Sequence, residues 1–92
     1  MPLFYDTSIE QLDECYSNDY PHLQVKDLKR DLYPLYKDFA SLSDNISQNG
    51  ITAPLRVVGN KLVDGHHRAI IIKELGIKTV PIEYSGVLSK AP

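Results

Sequence analysis

The sequence is poor in features that mark several common classes of protein. Of its 92 residues only one is a cysteine, Cys15. No internal disulfide can form and no cysteine pair is offered to a metal, which excludes a disulfide-stapled secreted scaffold. No apolar run approaches the roughly 20 residues of a bilayer-spanning helix. The start lacks the basic stretch and apolar run of a signal peptide. The expectation is a cytoplasmic chain without membrane contact. Basic residues are not in surplus either. Ten Lys and Arg stand against twelve Asp and Glu, a formal charge of -2, which argues against a broad nucleic-acid-binding surface. Internal repeats and low-complexity tracts are missing too.

What is present describes a folded globule. Hydrophobic residues make up 42%, charged residues 24%, and the aromatics are six Tyr and two Phe. At this length the chain is a single domain, 1–92, with a thin core. Charge is distributed unevenly. Residues 1–50 hold nine acidic and four basic side chains, whereas residues 51–92 hold three acidic and six basic ones. The two halves must form two sides of one object, and a pocket for an anion belongs to the second half.

Periodicity suggests an α+β fold, with a small mixed β-sheet and packed helices. Ser8 and Gln11 have capping-box spacing, and Ile9, Leu12 and Tyr16 mark a helix over about 8–17 that stops before Pro21. A short strand is expected over 25–29. Leu35, Phe39, Leu42 and Ile46 form an apolar stripe that predicts helix over 33–49, with Ser41 and Asp44 able to start a second helix inside it. Asn49-Gly50 then supplies a left-handed stop. Strands at 55–58 and 61–63 flank Gly59-Asn60, a two-residue hairpin turn. A helix over 66–75 carries three adjacent isoleucines, a sign of burial rather than of helix propensity, and Gly76 ends it. A last strand is expected over 79–84, with Pro81 tolerated at an edge or a bulge. The residues from 86 to 92 read as a short tail.

The densest chemical signal is Asp64-Gly65-His66-His67-Arg68, between a hairpin strand and a helix. The first N–H groups of a helix have no internal partner, and the helix dipole adds partial positive charge there. Gly65 permits a sharp turn and close approach of a ligand. Arg68 in the first turn is unfavourable unless an anion offsets it. This pattern fits a phosphate cradle. It also fits a plain capped helix in which Asp64 is the N-cap, Arg68 pairs with an acidic group and the histidines are solvated. Adjacent histidines without a second spaced ligand do not suggest zinc, but Asp64 suits a Mg²⁺ ion carried by a nucleotide. Cys15 reads as a small buried hydrophobe and His22 as a surface residue. Tyr33 and Tyr36 read as a packed helix face or as a stacking platform for a base.

The order of these elements resembles the ParB N-terminal domain and sulfiredoxin superfamily. The resemblance rests on Gly50-Ile51-x-x-Pro54-Leu55-x-Val57, the hairpin, Asp64-Gly65-His66-His67-Arg68, and Leu75-Gly76-x-x-x-Val80-Pro81, and spans about residues 24–84. It implies a helix opening that holds nucleotide phosphates. ParB proteins have Gly-Glu-Arg-Arg there for the triphosphate of CTP, which Gly65 and Arg68 match and His66 and His67 do not. Sulfiredoxins have Gly-Cys-His-Arg; His66 stands where their reactive cysteine would be, so their reaction is not implied. The unbroken Asp-Gly-His-His-Arg string is similar to that of free-serine kinases of this fold. What the resemblance implies is a module binding ATP or another NTP with Mg²⁺, with slow hydrolysis or phosphotransfer as a further step. Asp64, Gly65, His66, His67 and Arg68 would bind the nucleotide, and Asp64 would hold the metal. Asp64, His66 and His67 would also take part in catalysis, with Asp31 as the base and Asp27 behind it. Two alternatives stay open: a ParB-like DNA-binding protein or nuclease, and a non-enzymatic adaptor or inhibitor whose acidic first half, led by the helix at 8–17, docks a protein partner. A homodimer would align the basic halves for DNA or close the nucleotide pocket.

Overall fold

The computed structural model of the chain describes residues 3–85; the expected tail, 86–92, lies outside the described residues. Its elements run in the order β1 (Leu3–Ser8), α1 (Ile9–Glu14), β2 (Tyr16–Ser17), two short 3-10 turns (Val25–Asp27 and Arg30–Leu32), α2 (Phe39–Asn49), β3 (Leu55–Val58), β4 (Lys61–Asp64), α3 (His66–Leu75) and β5 (Thr79–Ser85). The five strands form one mixed sheet in the order β1-β5-β3-β4-β2. β1 and β5 are antiparallel, β5 and β3 parallel, β3 and β4 antiparallel, and β4 and β2 parallel. The expected α+β class with a small mixed sheet is the one observed.

The second half follows its local chemistry closely. Val58 pairs with Lys61 across the Gly59-Asn60 turn, and Gly59 takes the positive φ, 63°, that such a hairpin needs. The helix α3 spans the expected 66–75, and Gly76 ends it in the left-handed region, its N–H donating to the carbonyls of Ile72 and Lys73. Ala69, Ile70, Ile71 and Ile72 are all buried in the core with Leu55, Val57, Leu62, Val80 and Ile82. Burial on nearly every side explains why residues of modest helix propensity sit there. Pro81 is paired with Asp6 of β1, while the ladder to β3 begins one residue later, at Ile82. At Pro81 β5 therefore has a neighbour on one side only, and the missing N–H is tolerated.

The first half departs from its periodicity in four places. Residues 3–8 form a strand where no element was expected, pairing along β5. The first helix is short: Ser8 caps it through Gln11 N–H at 3.3 Å, but it ends at Glu14. Tyr16 and Ser17 instead join β4, with Tyr16 N–H on Asn60 O and Asn18 N–H on Leu62 O. The expected strand at 25–29 is a 3-10 turn. Gln24 and Asp27 cap each other across it, and the three-residue spacing puts Val25 and Leu28 together in the core. Finally, α2 begins at Phe39 rather than 33 and runs unbroken to Asn49, so Ser41 starts no second helix. Leu35, read as part of the apolar stripe, is 89% exposed. The segment before α2 is held out of the helix by ring contacts of Tyr33 and Tyr36 with α3, which outweigh its helical period. Phe39 and Ile46 keep their predicted places in the core.

Candidate functional site

Asp64, Gly65, His66, His67 and Arg68 meet at the junction of β4 and α3, and line a cavity of about 360 Å³ together with Asp19, Tyr36, Leu42 and Val63. The junction folds as it does because of Gly65. Its φ is 103°, a region that L-residues rarely enter. A Cβ there would lie 2.5 Å from Leu55 Cγ, so the glycine is required by the core beneath as well as by the turn. Gly65, not Asp64, is the N-cap of α3, and no side chain caps the helix. The first intrahelical bond is that of Ala69 N–H to Gly65 O, at 2.8 Å. The N–H groups of His66, His67 and Arg68 are thus left at a positively polarised helix end beside the cavity.

The two histidines, alike in sequence, have opposite surroundings. His66 is buried, 6% exposed. Its Nε2 lies 2.9 Å from Ser17 Oγ and its Nδ1 lies 3.4 Å from Asp19 Oδ2. Burial lowers its pKa from the ordinary value, Asp19 and Asp64 oppose that shift, and His67 adds to it. The ring of His67 lies flat against Tyr36, with centroids 3.8 Å apart and an interplanar angle of 9°. The edges of Tyr33 and Phe39 complete an aromatic box, at 4.8 and 5.5 Å. Burial also lowers the pKa of His67, against the pull of Asp19. Both histidines are therefore held toward the neutral form, His66 by burial in a polar niche and His67 by burial among rings.

Arg68 turns toward the loop before β3. Its Nη1 donates to Ala53 O at 2.5 Å and to Pro54 O at 3.3 Å, and its Nη2 lies 3.7 Å from Asp64 Oδ2. The guanidinium ties the Thr52–Pro54 loop to α3 and still borders the cavity, shared with a smaller one of about 190 Å³ along α2. Asp64 is 62% exposed. Among the described residues no group of three His, Cys, Asp or Glu side chains could hold a metal ion. The arrangement fits no all-protein metal centre, but one exposed carboxylate is the usual protein share of a Mg²⁺ ion that arrives with the phosphates of a nucleotide.

Sequence reasoning missed Asp19, Ser17 and Leu42. Asp19 lies on the cavity wall and accepts the Tyr33 hydroxyl at 2.8 Å. Burial, and then that contact, raises the Tyr33 pKa. The only hint was an acidic residue beside a helix stop, and with β2 read as helix it had no reason to face the site. Asp31 is exposed in the second 3-10 turn and is not among the cavity-lining residues. Tyr33 and Tyr36 lie in a loop rather than on a helix face, and the ring they meet is His67, Tyr33 edge-on and Tyr36 stacked. Cys15 packs beside the core with its thiol pushed up by burial and by Glu14, and His22 is exposed.

No protein-family model matches the sequence, and no curated protein does. The similar solved structures include the following two. A Pnob8-like ParB-N domain superposes with a TM-score of 0.65 and 25% identity, covering 91% of this chain and 30% of its own. Sulfiredoxin from Arabidopsis thaliana superposes with a TM-score of 0.62 and 18% identity, over 91% of this chain and 85% of its own. The chain thus spans about a third of the length of the ParB-N structure it matches. Its fold is that of the ParB-N and sulfiredoxin superfamily, which the string from Gly50 to Pro81 resembles. No helix among the described residues is long and apolar enough to cross a membrane.

Proposed function

We propose that this chain is a ParB-like module that binds a nucleotide, ATP or another NTP, as its Mg²⁺ complex at the opening of α3. The observation that carries the reading is the start of that helix: a glycine N-cap with no side-chain cap, facing a cavity lined by Gly65, His67 and Arg68. Phosphate oxygens would accept from the N–H groups of residues 65–68, where donors and dipole act together. Arg68 supplies the full positive charge at the rim, and Asp64 would share the Mg²⁺ ion. A terminal phosphate held this way is placed for slow hydrolysis or transfer, in which fixed positive charge stabilises the transition state. Asp19 and Asp64 are the carboxylates that line the cavity, and Asp31 is not among its lining residues.

Calorimetric titration with ATP, CTP and GTP, each with Mg²⁺, tests the reading, with Arg68→Ala in parallel and its thermal midpoint checked. Saturable binding of one nucleotide is expected, weakened at least about tenfold in Arg68→Ala. Phosphate release from the same samples separates a switch from an NTPase. No binding up to about 1 mM, weaker than about 4 kcal/mol, would overturn it.

A further inference from the structure

The hydrogen-bond network behind the cavity determines which nitrogen of His66 carries its proton. Ser17 is fully buried, 0% exposed, and its Oγ accepts the backbone N–H of Tyr20 at 2.9 Å. Its own hydroxyl proton needs an acceptor, since an unpaired buried donor is unfavourable, and His66 Nε2 at 2.9 Å is the acceptor in reach. Nε2 is then unprotonated and the proton sits on Nδ1. That is the side that faces Asp19 Oδ2 at 3.4 Å, and an ionised carboxylate can only accept. The two ends of the ring agree. Asp19 is itself held by the Tyr33 hydroxyl on the same oxygen, and Tyr33 packs edge-on to His67.

The geometry points to Ser17 and Asp19 as positioning residues for the α3 opening. They lock His66 inward as the Nδ1–H tautomer, so that this side chain anchors the helix start and the ligand is met by backbone N–H groups, His67 and Arg68. This rests on the nucleotide-binding reading above and assigns His66 a role there other than phosphate donor or acid-base group. β2 and the loop after it, 49 residues away in sequence from His66, thereby become part of the site.

Two measurements test it. Nitrogen-15 NMR of the imidazoles in the free protein should show His66 with Nδ1 protonated and Nε2 not; the reverse pattern would overturn the lock. Nucleotide titration should then compare Asp19→Ala with Asp19→Asn. Both remove the charge, but only Asn keeps an acceptor for Nδ1–H. Asp19→Ala should mix the tautomers of His66 and weaken binding about tenfold relative to Asp19→Asn, the size of one lost hydrogen bond. Equal affinity of the two variants would overturn the positioning role and leave nucleotide binding standing. Failure of the wild-type protein to bind nucleotide would overturn both.

Discussion

The two ends of α3 have little in common. Its C-terminus is closed from within. Gly76 closes the helix onto Ile72 and Lys73, Ile77 N–H reaches back to Ile72 O at 3.1 Å, and Lys73 Nζ donates to the carbonyls of Val25 and Leu28. The cavity there is the larger, about 470 Å³, yet it is walled by Ile46, Ile51, Leu75, Ile77 and Pro81 and offers little chemistry. At the N-terminus the helix is uncapped, the cavity is smaller, and its wall carries two carboxylates, two histidines and an arginine. Donors left open beside convergent polar groups mark the candidate site better than volume does.

The largest effect expected from breaking this contrast is at Gly65. Gly65→Ala puts a Cβ on Leu55 in a left-handed backbone, and strain plus overpacking should remove about 2–5 kcal/mol of stability. A denaturant titration reads this, and a loss below about 1 kcal/mol would show that the junction yields easily. Lys73→Met comes next. It takes the ammonium from the Val25 and Leu28 carbonyls, of which Val25 O keeps the Leu28 N–H, and leaves partly buried Asp13 without its opposing charge, for about 1–3 kcal/mol in the same assay. Gly76→Ala, with open space around its Cβ, should lose only the left-handed preference, about 1 kcal/mol. The ratio between the two glycine variants is the sharpest test of whether the two ends of α3 differ as described.

The smallest effect is in the pH dependence of stability. His66 and His67 both have folded pKa values below the ordinary 6.5, chiefly through burial. A depressed histidine contributes stability that is present above its unfolded pKa and lost as pH falls through its folded one. The thermal midpoint should therefore hold above pH 6.5 and decline below it, less steeply in His67→Gln. Asp13, raised by burial, works in the opposite sense: its contribution is present below its ordinary 3.8 and is lost as pH rises through its folded value. A midpoint that rises as pH falls just below 6.5 would contradict the neutral state of the two imidazoles.

Much of the candidate site was legible because it is local. Asp64 to Arg68 occupy successive positions, and a strand, a glycine and a helix in that order place them without help from the rest of the chain. The opposite wall was not legible. Asp19 and Ser17 reach His66 only because Tyr16 and Ser17 pair with β4, and a two-residue strand leaves no period to read. The loop with Tyr33 and Tyr36 carried a misleading one: Leu35, Phe39, Leu42 and Ile46 keep helical spacing, yet the helix waits until Phe39.

Composition, turn chemistry and spacing within the sequence therefore determined the class of fold, the hairpin, the limits of α3 and the five residues at its opening. These depend on neighbours a few positions apart, whose energies act before the chain has found its final shape. Only the tertiary structure decided that β1 would extend the sheet, that His66 would turn inward while His67 entered a box of rings, and that Asp19 would face the cavity. Those outcomes depend on partners far apart along the chain, as in the contact of Thr7 with Tyr84, 77 residues away. Such contacts exist only once the core has brought their elements together.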